Sequence, residues 1–208
     1  IIEEPYTILH DESYYFGREP HVLEISYLGK ELFIINNHFK CCGDGIIEDD
    51  NFDEEFRRQQ ASNLLGKYID NNLPNENVII LGDLNDEIQE DEELNVFWNF
   101  ISDPDEYLFI DMEIAMGNSE YWTWPGLLNG SSPRHFMHVL ITNELFDVFN
   151  TEGSLVQTIF LDEHFTDGLV YENFISDHRP LGLRFYFGAC TDPEACNYNP
   201  DAIIDDNG

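Results

Sequence analysis

The hydrophobic positions of this 208-residue chain change period several times along its length. Over residues 21–27 (HVLEISY) they alternate, with Leu23 and Ile25 on the face opposite Val22 and Glu24. After a Gly29-Lys30 turn, residues 32–35 (LFII) form a short continuous apolar run. Alternation puts successive side chains on opposite faces of a pleated strand, so the two segments predict a β-hairpin. Residues 53–69 switch to a helical period, in which Ala61, Leu64, Leu65, Tyr68 and Ile69 share one face. Asn51 or Asp53 supplies the N-cap, Glu54 and Glu55 suit the positive end of the helix dipole, and Pro74 follows the helix end. Apolar runs at 78–81 (VIIL), 139–142 (VLIT) and 181–187 (LGLRFYF) predict further strands, and residues 96–101 predict a short amphipathic helix with Trp98 and Phe100 in the core. An acidic loop or helix start occupies 86–93. Strands and helices alternate without a strict βαβ period, which favours a mixed or antiparallel sheet packed by helices over a Rossmann sheet.

Composition sharpens this picture. At 42 % apolar and 14 % aromatic the chain has enough apolar surface for a packed core. Residues 1–188 read as one domain, whereas 189–208 are rich in Cys, Asp, Asn and Pro and form a loop-rich appendage. Nine basic residues face 42 acidic ones, for a net charge of −33. Such a chain cannot build a polybasic surface for nucleic acid or anionic lipid, so any handling of a phosphodiester requires metal ions to supply positive charge. No apolar run is long enough to span a membrane. Cys41, Cys42, Cys190 and Cys196 show neither a CxxC spacing nor a Cys/His zinc pattern, and the adjacent pair is expected to be reduced or structurally packed.

Three polar clusters lie at the ends of strand-like runs, where a rigid scaffold can position working side chains. They are Asn36-Asn37-His38, Gly82-Asp83-Leu84-Asn85-Asp86 and Ser176-Asp177-His178-Arg179-Pro180. Asp83, Asn85 and Asp177 are hard oxygen donors of the kind that Mg²⁺ or Ca²⁺ prefers. His38 and His178 can act as acid, base or hydrogen-bond donor to a phosphate oxygen. Each cluster alone is also an ordinary turn; the combination is what points to chemistry.

Taken together and in this order, N-x-H, G-D-x-N and S-D-H-x-P resemble the endonuclease/exonuclease/phosphatase superfamily, with the similar stretch running from about residue 18 to 187. Arg57-Arg58-Gln59-Gln60-Ala61 and Tyr121-Trp122-Thr123-Trp124-Pro125 fit segments of the same family. The resemblance implies a deoxyribonuclease I-like α/β four-layer sandwich of two mixed sheets flanked by helices. It also implies phosphodiester hydrolysis assisted by Mg²⁺, or by Mn²⁺ or Ca²⁺, with nucleic acid as one possible substrate. In that scheme Asp83 orients or activates water, Asn85 positions it, His38 and His178 stabilise the phosphoryl oxygens, Asn36 supports the phosphate contact and Asp177 helps hold the metal.

The chain departs from the family pattern twice. The family's domain opens with strands that carry a metal-site Asn and a metal-binding Glu, and neither precedes residue 27, which leads us to expect a fragment or truncated relative with an uncovered apolar face. Second, residues 134–141 (RHFMHVLI) align with a family segment H-x-D-H-I-L-I, so Met137 stands where a carboxylate is expected to orient the histidine of S-D-H. These departures keep two other readings open. One is a non-catalytic secreted binding module on the same fold. The other is a phospholipid or sugar-phosphate phosphodiesterase, for which Trp122 and Trp124 are the candidates for an exposed aromatic hairpin. Residues 190–206 resemble a Cys-, Asp- and Asn-rich module found near the C-termini of secreted bacterial proteins, implying an extracellular location.

Overall fold

The computed structural model describes residues 1–27, 29–127, 130–186 and Glu194. The predicted boundary near residue 188 and the Cys-, Asp- and Asn-rich segment, Glu194 apart, lie outside them.

Eight strands are formed: β1 (Tyr6–Thr7), β2 (His21–Tyr27), β3 (Lys30–His38), β4 (Asn77–Asp83), β5 (Tyr107–Phe109), β6 (Met137–Thr142), β7 (Leu155–Thr158) and β8 (Leu181–Arg184). The first six make one mixed sheet in the order β1-β2-β3-β4-β6-β5, and β7 and β8 pair separately. The expected hairpin is present, with β2 and β3 antiparallel from His21↔Asn36 to Tyr27↔Lys30. β3 and β4 run parallel, with His38 opposite Asp83, and β4 and β6 run antiparallel, with Asp83 opposite Met137. Three chemically distinctive residues therefore share one rung of the sheet.

The crossover from β3 to β4 is the helix Glu54–Asn72, capped by Asp53, whose Oδ1 accepts from the Phe56 N–H at 2.6 Å. Its apolar face buries Ala61, Leu65 and Ile69 against Val22, Ile35, Val78, Ile80 and Leu140 on one side of the sheet. On the other side Ile79, Val139 and Ile141 are buried, and Ile25, Ile34 and Leu81 pack with Leu181, Leu183 and Phe185 on and beside β8. This helix–sheet–sheet stack is the deoxyribonuclease I-like α/β arrangement, with its second sheet represented by a single antiparallel pair. An apolar groove of about 480 Å³ runs between β2, β3, β4, β6 and β8, and Tyr27 at its end is 53 % exposed. No helix among the described residues is long and apolar enough to cross a membrane.

Boundaries differ from expectation where the period was weak. The 96–101 helix contracts to Trp98–Ile101. The last strand stops at Arg184. The strands β1, β5 and β7 have two to four residues each, too few to show alternation. Residues 86–93 form turns, the loop of the two alternatives expected there. Trp122 and Trp124 are half-buried: the indole N–H of Trp122 donates to the Ile114 carbonyl at 3.0 Å, and Trp124 packs on Phe136. They do not form the exposed aromatic hairpin considered above.

Candidate active site

The parallel pairing of β3 and β4 ends in a tight approach. Gly82 has φ +132°, and a Cβ there would fall 1.9 Å from the Asn37 carbonyl oxygen, so only glycine fits. Beyond it Asp83 ends the strand and the chain turns through Asn85 at φ 55°. This turn is held by the Asn85 N–H donating to Asp83 Oδ1 at 3.1 Å and by Asn85 Nδ2 donating to the Phe39 carbonyl at 3.0 Å. The nitrogen end of the Asn85 amide is thereby anchored, and its oxygen is the end left to meet a ligand.

His38, Asp83, Asn85, Asp177 and His178 line one cavity of about 560 Å³, although they span 140 residues of chain. Asp83 Oδ2 lies 3.5 Å from His178 Nε2 and 3.9 Å from His38 Nε2. Asn36 lies two residues before His38 on β3, hence on the same face, but it is exposed and outside the lining of this cavity. Met137, opposite Asp83 on β6, lines the same cavity.

The two imidazoles are held differently. Arg18 Nη1 donates to His38 Nδ1 at 2.8 Å. A guanidinium only donates, so Nδ1 is the acceptor and the ring proton sits on Nε2, the nitrogen facing Asp83. His178 has a fixed backbone: its N–H donates to Ser176 Oγ at 3.0 Å, its carbonyl accepts from the Tyr171 hydroxyl at 3.1 Å, and the next residue, Arg179, grips Asp162 in a two-pronged ion pair at 2.7–3.0 Å. The ring is another matter, because His178 Nδ1 is buried and has no hydrogen-bond partner among the described residues. The thioether of Met137, which lines the same cavity, is a far weaker acceptor than a carboxylate.

Two residues of the family-like segments, Thr123 and Arg58, position the site through contacts that the sequence did not reveal. Thr123 accepts from the Phe136 and Met137 N–H groups with its hydroxyl and from the Arg179 N–H with its carbonyl, tying β6 to the 176–180 turn. Arg58, 2 % exposed, donates to Asp86 Oδ2 at 2.7 Å and to the carbonyls of Lys40 and Cys42 at 2.8 and 2.7 Å. It thus staples the loop after β3 to the turn after β4. Cys41 and Cys42 in that loop are free and exposed.

Beneath the cavity lies a fully buried cluster, Asp111, His135 and His138, whose side-chain ligand atoms all fall within 4.8 Å of one another. Asp111 Oδ2 accepts from His135 Nε2 at 2.9 Å and His138 Nδ1 at 2.7 Å, and Oδ1 accepts from the Val139 N–H at 2.9 Å. His138 Nε2 donates to the Asp86 carbonyl at 2.8 Å, so both its nitrogens donate and the ring is an imidazolium. Burial alone would lower the His138 pKa, but the Asp111 charge and hydrogen bond overcome it and raise the value. Burial likewise pushes Asp111 upward, and the charge of His138 with the two imidazole bonds brings it well below the usual carboxylate range. His135 is driven the other way, chiefly by burial, and stays neutral with Nδ1 facing the Thr123 hydroxyl at 3.4 Å. The donor set is of a kind that could ligate a metal, yet every proton here already has a place. The cluster joins β6 to the turn after Asp83.

No protein-family model and no curated protein sequence matches this chain. Solved structures do. A humanized D. rerio TDP2 aligns at TM-score 0.50 and 13 % identity over 81 % of this chain and 60 % of that one. D. rerio TDP2 complexed with a single-strand DNA product aligns at 0.50 and 14 % over 81 % and 62 %. SmcL aligns at 0.51 and 17 % over 78 % and 57 %. The fold is therefore the one these structures share, the deoxyribonuclease I-like fold that the resemblance of the three polar clusters implies. The chain spans about 60 % of the length of the first of these structures.

Proposed function

We propose that this chain carries the reaction centre of a divalent-metal-dependent phosphodiester hydrolase. The observation that carries the reading is the convergence of two imidazole Nε2 atoms on one carboxylate oxygen, Asp83 Oδ2, in a cavity also lined by Asn85 and Asp177. Spacings of 3.5 and 3.9 Å exceed a direct hydrogen bond and leave the carboxylate free to hold a water. Asp83 accepts a proton from that water as its oxygen bonds to phosphorus, Asn85 orients it, and the bond from phosphorus to the leaving oxygen breaks. His38, with its proton on Nε2, donates to a phosphoryl oxygen on which charge accumulates. His178 faces the same place and can protonate the leaving oxygen.

Asp83, Asn85 and Asp177 fit a cation that takes one or two carboxylates and completes its shell with water and substrate phosphate, the habit of Mg²⁺. Such an ion, bound at Asp177, would supply the positive charge that a −33 chain lacks. The nucleic-acid substrate is supported by the DNA product held by D. rerio TDP2, and the extracellular location by the pattern of residues 190–206.

The test is hydrolysis of bis(4-nitrophenyl) phosphate and of single-stranded DNA with Mg²⁺, Mn²⁺ or Ca²⁺ and with chelator. Metal-dependent turnover that Asp83→Asn abolishes is expected. The unpartnered His178 Nδ1 favours one second reading, a binding module that has lost catalysis. Binding of the phosphodiester without turnover under any of these ions would establish it.

A further inference from the structure

The loop that leaves β3 carries two adjacent thiols, Cys41 and Cys42, for which the proposed hydrolysis has no use. Successive side chains of an extended chain point to opposite faces, so neighbouring cysteines ordinarily face apart. Here they do not. Cys42 takes φ 77°, a left-handed conformation uncommon outside glycine, and the two Sγ atoms meet at 2.7 Å. The backbone around them is clamped: Arg58 Nη1 donates to the carbonyls of Lys40 and Cys42, and Lys40 Nζ donates to the carbonyl of Cys41 at 3.1 Å. Three consecutive carbonyls are thus held while both thiols stay free and exposed. A free cysteine that serves packing is buried, whereas a backbone outlier held by its surroundings is typical of switch regions. The pair is not arranged around a metal, since neither cysteine belongs to a group of three or more ligand atoms lying within 4.8 Å of one another among the described residues. Its position gives a modification there a consequence. Cys41 lines the cavity with His38, Asp83 and His178, and both cysteines line an adjoining groove with Asn85 and Asp177.

We propose that Cys41 and Cys42 form a reversible thiol–disulfide site, closed to a vicinal disulfide by exchange with a low-molecular-weight disulfide, and that closure reshapes the cavity wall that Cys41 shares with His38. One sulfur gives up its proton and bonds to a sulfur of the small disulfide, releasing one small thiol. The second sulfur gives up its proton and bonds to the first, and the other half of the small disulfide leaves as a second thiol. The two cysteines are oxidised, the small disulfide is reduced, and the two protons leave on the two thiols. Contact at 2.7 Å makes the second step intramolecular and favours it over retention of the adduct. The bond formed is a labile one. Consecutive Cα atoms lie about 3.8 Å apart across a trans peptide, short of the roughly 4.4–6.8 Å that a relaxed disulfide spans, and strained, exposed disulfides are the readily reduced ones. The exchange needs neither metal nor turnover, so it stands or falls independently of the hydrolase reading.

Incubation of the full chain with oxidised glutathione, followed by peptide mass mapping, tests this. In the parent, the peptide carrying Cys41 and Cys42 is expected to lose two hydrogens and keep no glutathione, and dithiothreitol is expected to restore it. Cys41→Ser and Cys42→Ser each remove the resolving partner, so each is expected to keep glutathione on the remaining cysteine, at least about tenfold more than the parent does. The ring signals of His38, followed by NMR, are expected to move when the parent is oxidised and to stay in place in the double variant Cys41→Ser/Cys42→Ser. Glutathione kept by the parent as much as by the single variants overturns the site, as do thiols that stay reduced or a bond from either cysteine to Cys190 or Cys196. Loss of two hydrogens with unmoved His38 signals overturns its action on the cavity.

Discussion

His38 and His178 both turn Nε2 toward Asp83 Oδ2, yet what stands behind each ring differs. Behind His38 is a guanidinium that fixes the tautomer; behind His178 is a buried Nδ1 with nothing to bond. A third imidazole in the same molecule, His138, shows the opposite extreme, with a carboxylate on one nitrogen and a carbonyl on the other. One residue type thus occupies three electrostatic settings, and only partners, not sequence neighbours, distinguish them. The pair at Asp83 is asymmetric in strength, and the cluster below it supplies rigidity.

The comparison can be broken at its common point. Asp83→Asn keeps the shape and removes the base, so turnover of bis(4-nitrophenyl) phosphate is expected to fall about 10³-fold, within the range for loss of a general base. A fall of less than tenfold would mean that another group activates the water.

The next largest effect is on stability. Asp111→Asn leaves the His138 imidazolium buried without its counter-charge, and a loss of about 3–5 kcal/mol in chemical denaturation is expected. The same pair gives a pH signature. His138 is raised above its ordinary 6.5, so its contribution is complete below that value and disappears as pH climbs through the raised folded pKa. Asp111 is lowered from 3.8, so its contribution is complete above that value and disappears on acidification through its folded pKa. From the His138–Asp111 pair, thermal stability is therefore expected to decline on the alkaline side as pH climbs through the raised folded pKa of His138, and Asp111→Asn should flatten that decline. An alkaline limb of the same steepness in the variant would contradict the assignment of charge to His138.

Smaller again is the difference between the two site histidines. His38→Ala is expected to cost about 10²-fold in kcat and His178→Ala only about tenfold, because a ring of unfixed tautomer contributes less. Arg18→Met should cost about fivefold and have no further effect in the His38→Ala background, which a double-mutant cycle reads directly. Additive losses would show that Arg18 acts on substrate and not through His38.

Much of this architecture could be read from the chain before its coordinates. The alternation of 21–27 and the helical period of 53–69 have enough residues to declare a period, the continuous apolar runs at 78–81 and 139–142 mark buried strands, and each corresponds to an element. The clusters that bring His38, Asp83, Asn85, Asp177 and His178 together were visible because each sits at a strand boundary. What escaped was pairing at a distance. Arg18 meets His38 across 20 residues, Arg58 meets Asp86 across 28, and Asp111 meets His138 across 27, with no spacing rule to connect them. The pattern at 134–141 flagged Met137 as the place of a missing carboxylate, but gave no hint that His135 and His138 beside it point into the core, where they share Asp111.

The most direct measurement is made on Met137→Asp. Imidazole ¹⁵N shifts report which ring nitrogen of His178 carries the proton, and turnover of bis(4-nitrophenyl) phosphate with Mg²⁺ reports the consequence. The structure predicts a mixture of tautomers in the parent and, in the variant, a ring that holds a proton on Nδ1 toward the new carboxylate while keeping on Nε2 the proton that the leaving oxygen receives, with at least about a tenfold gain in rate, a modest share of the roughly 10⁴-fold cost of losing a histidine-orienting aspartate elsewhere. A parent whose His178 already holds one tautomer and whose rate does not rise with the new carboxylate would contradict it.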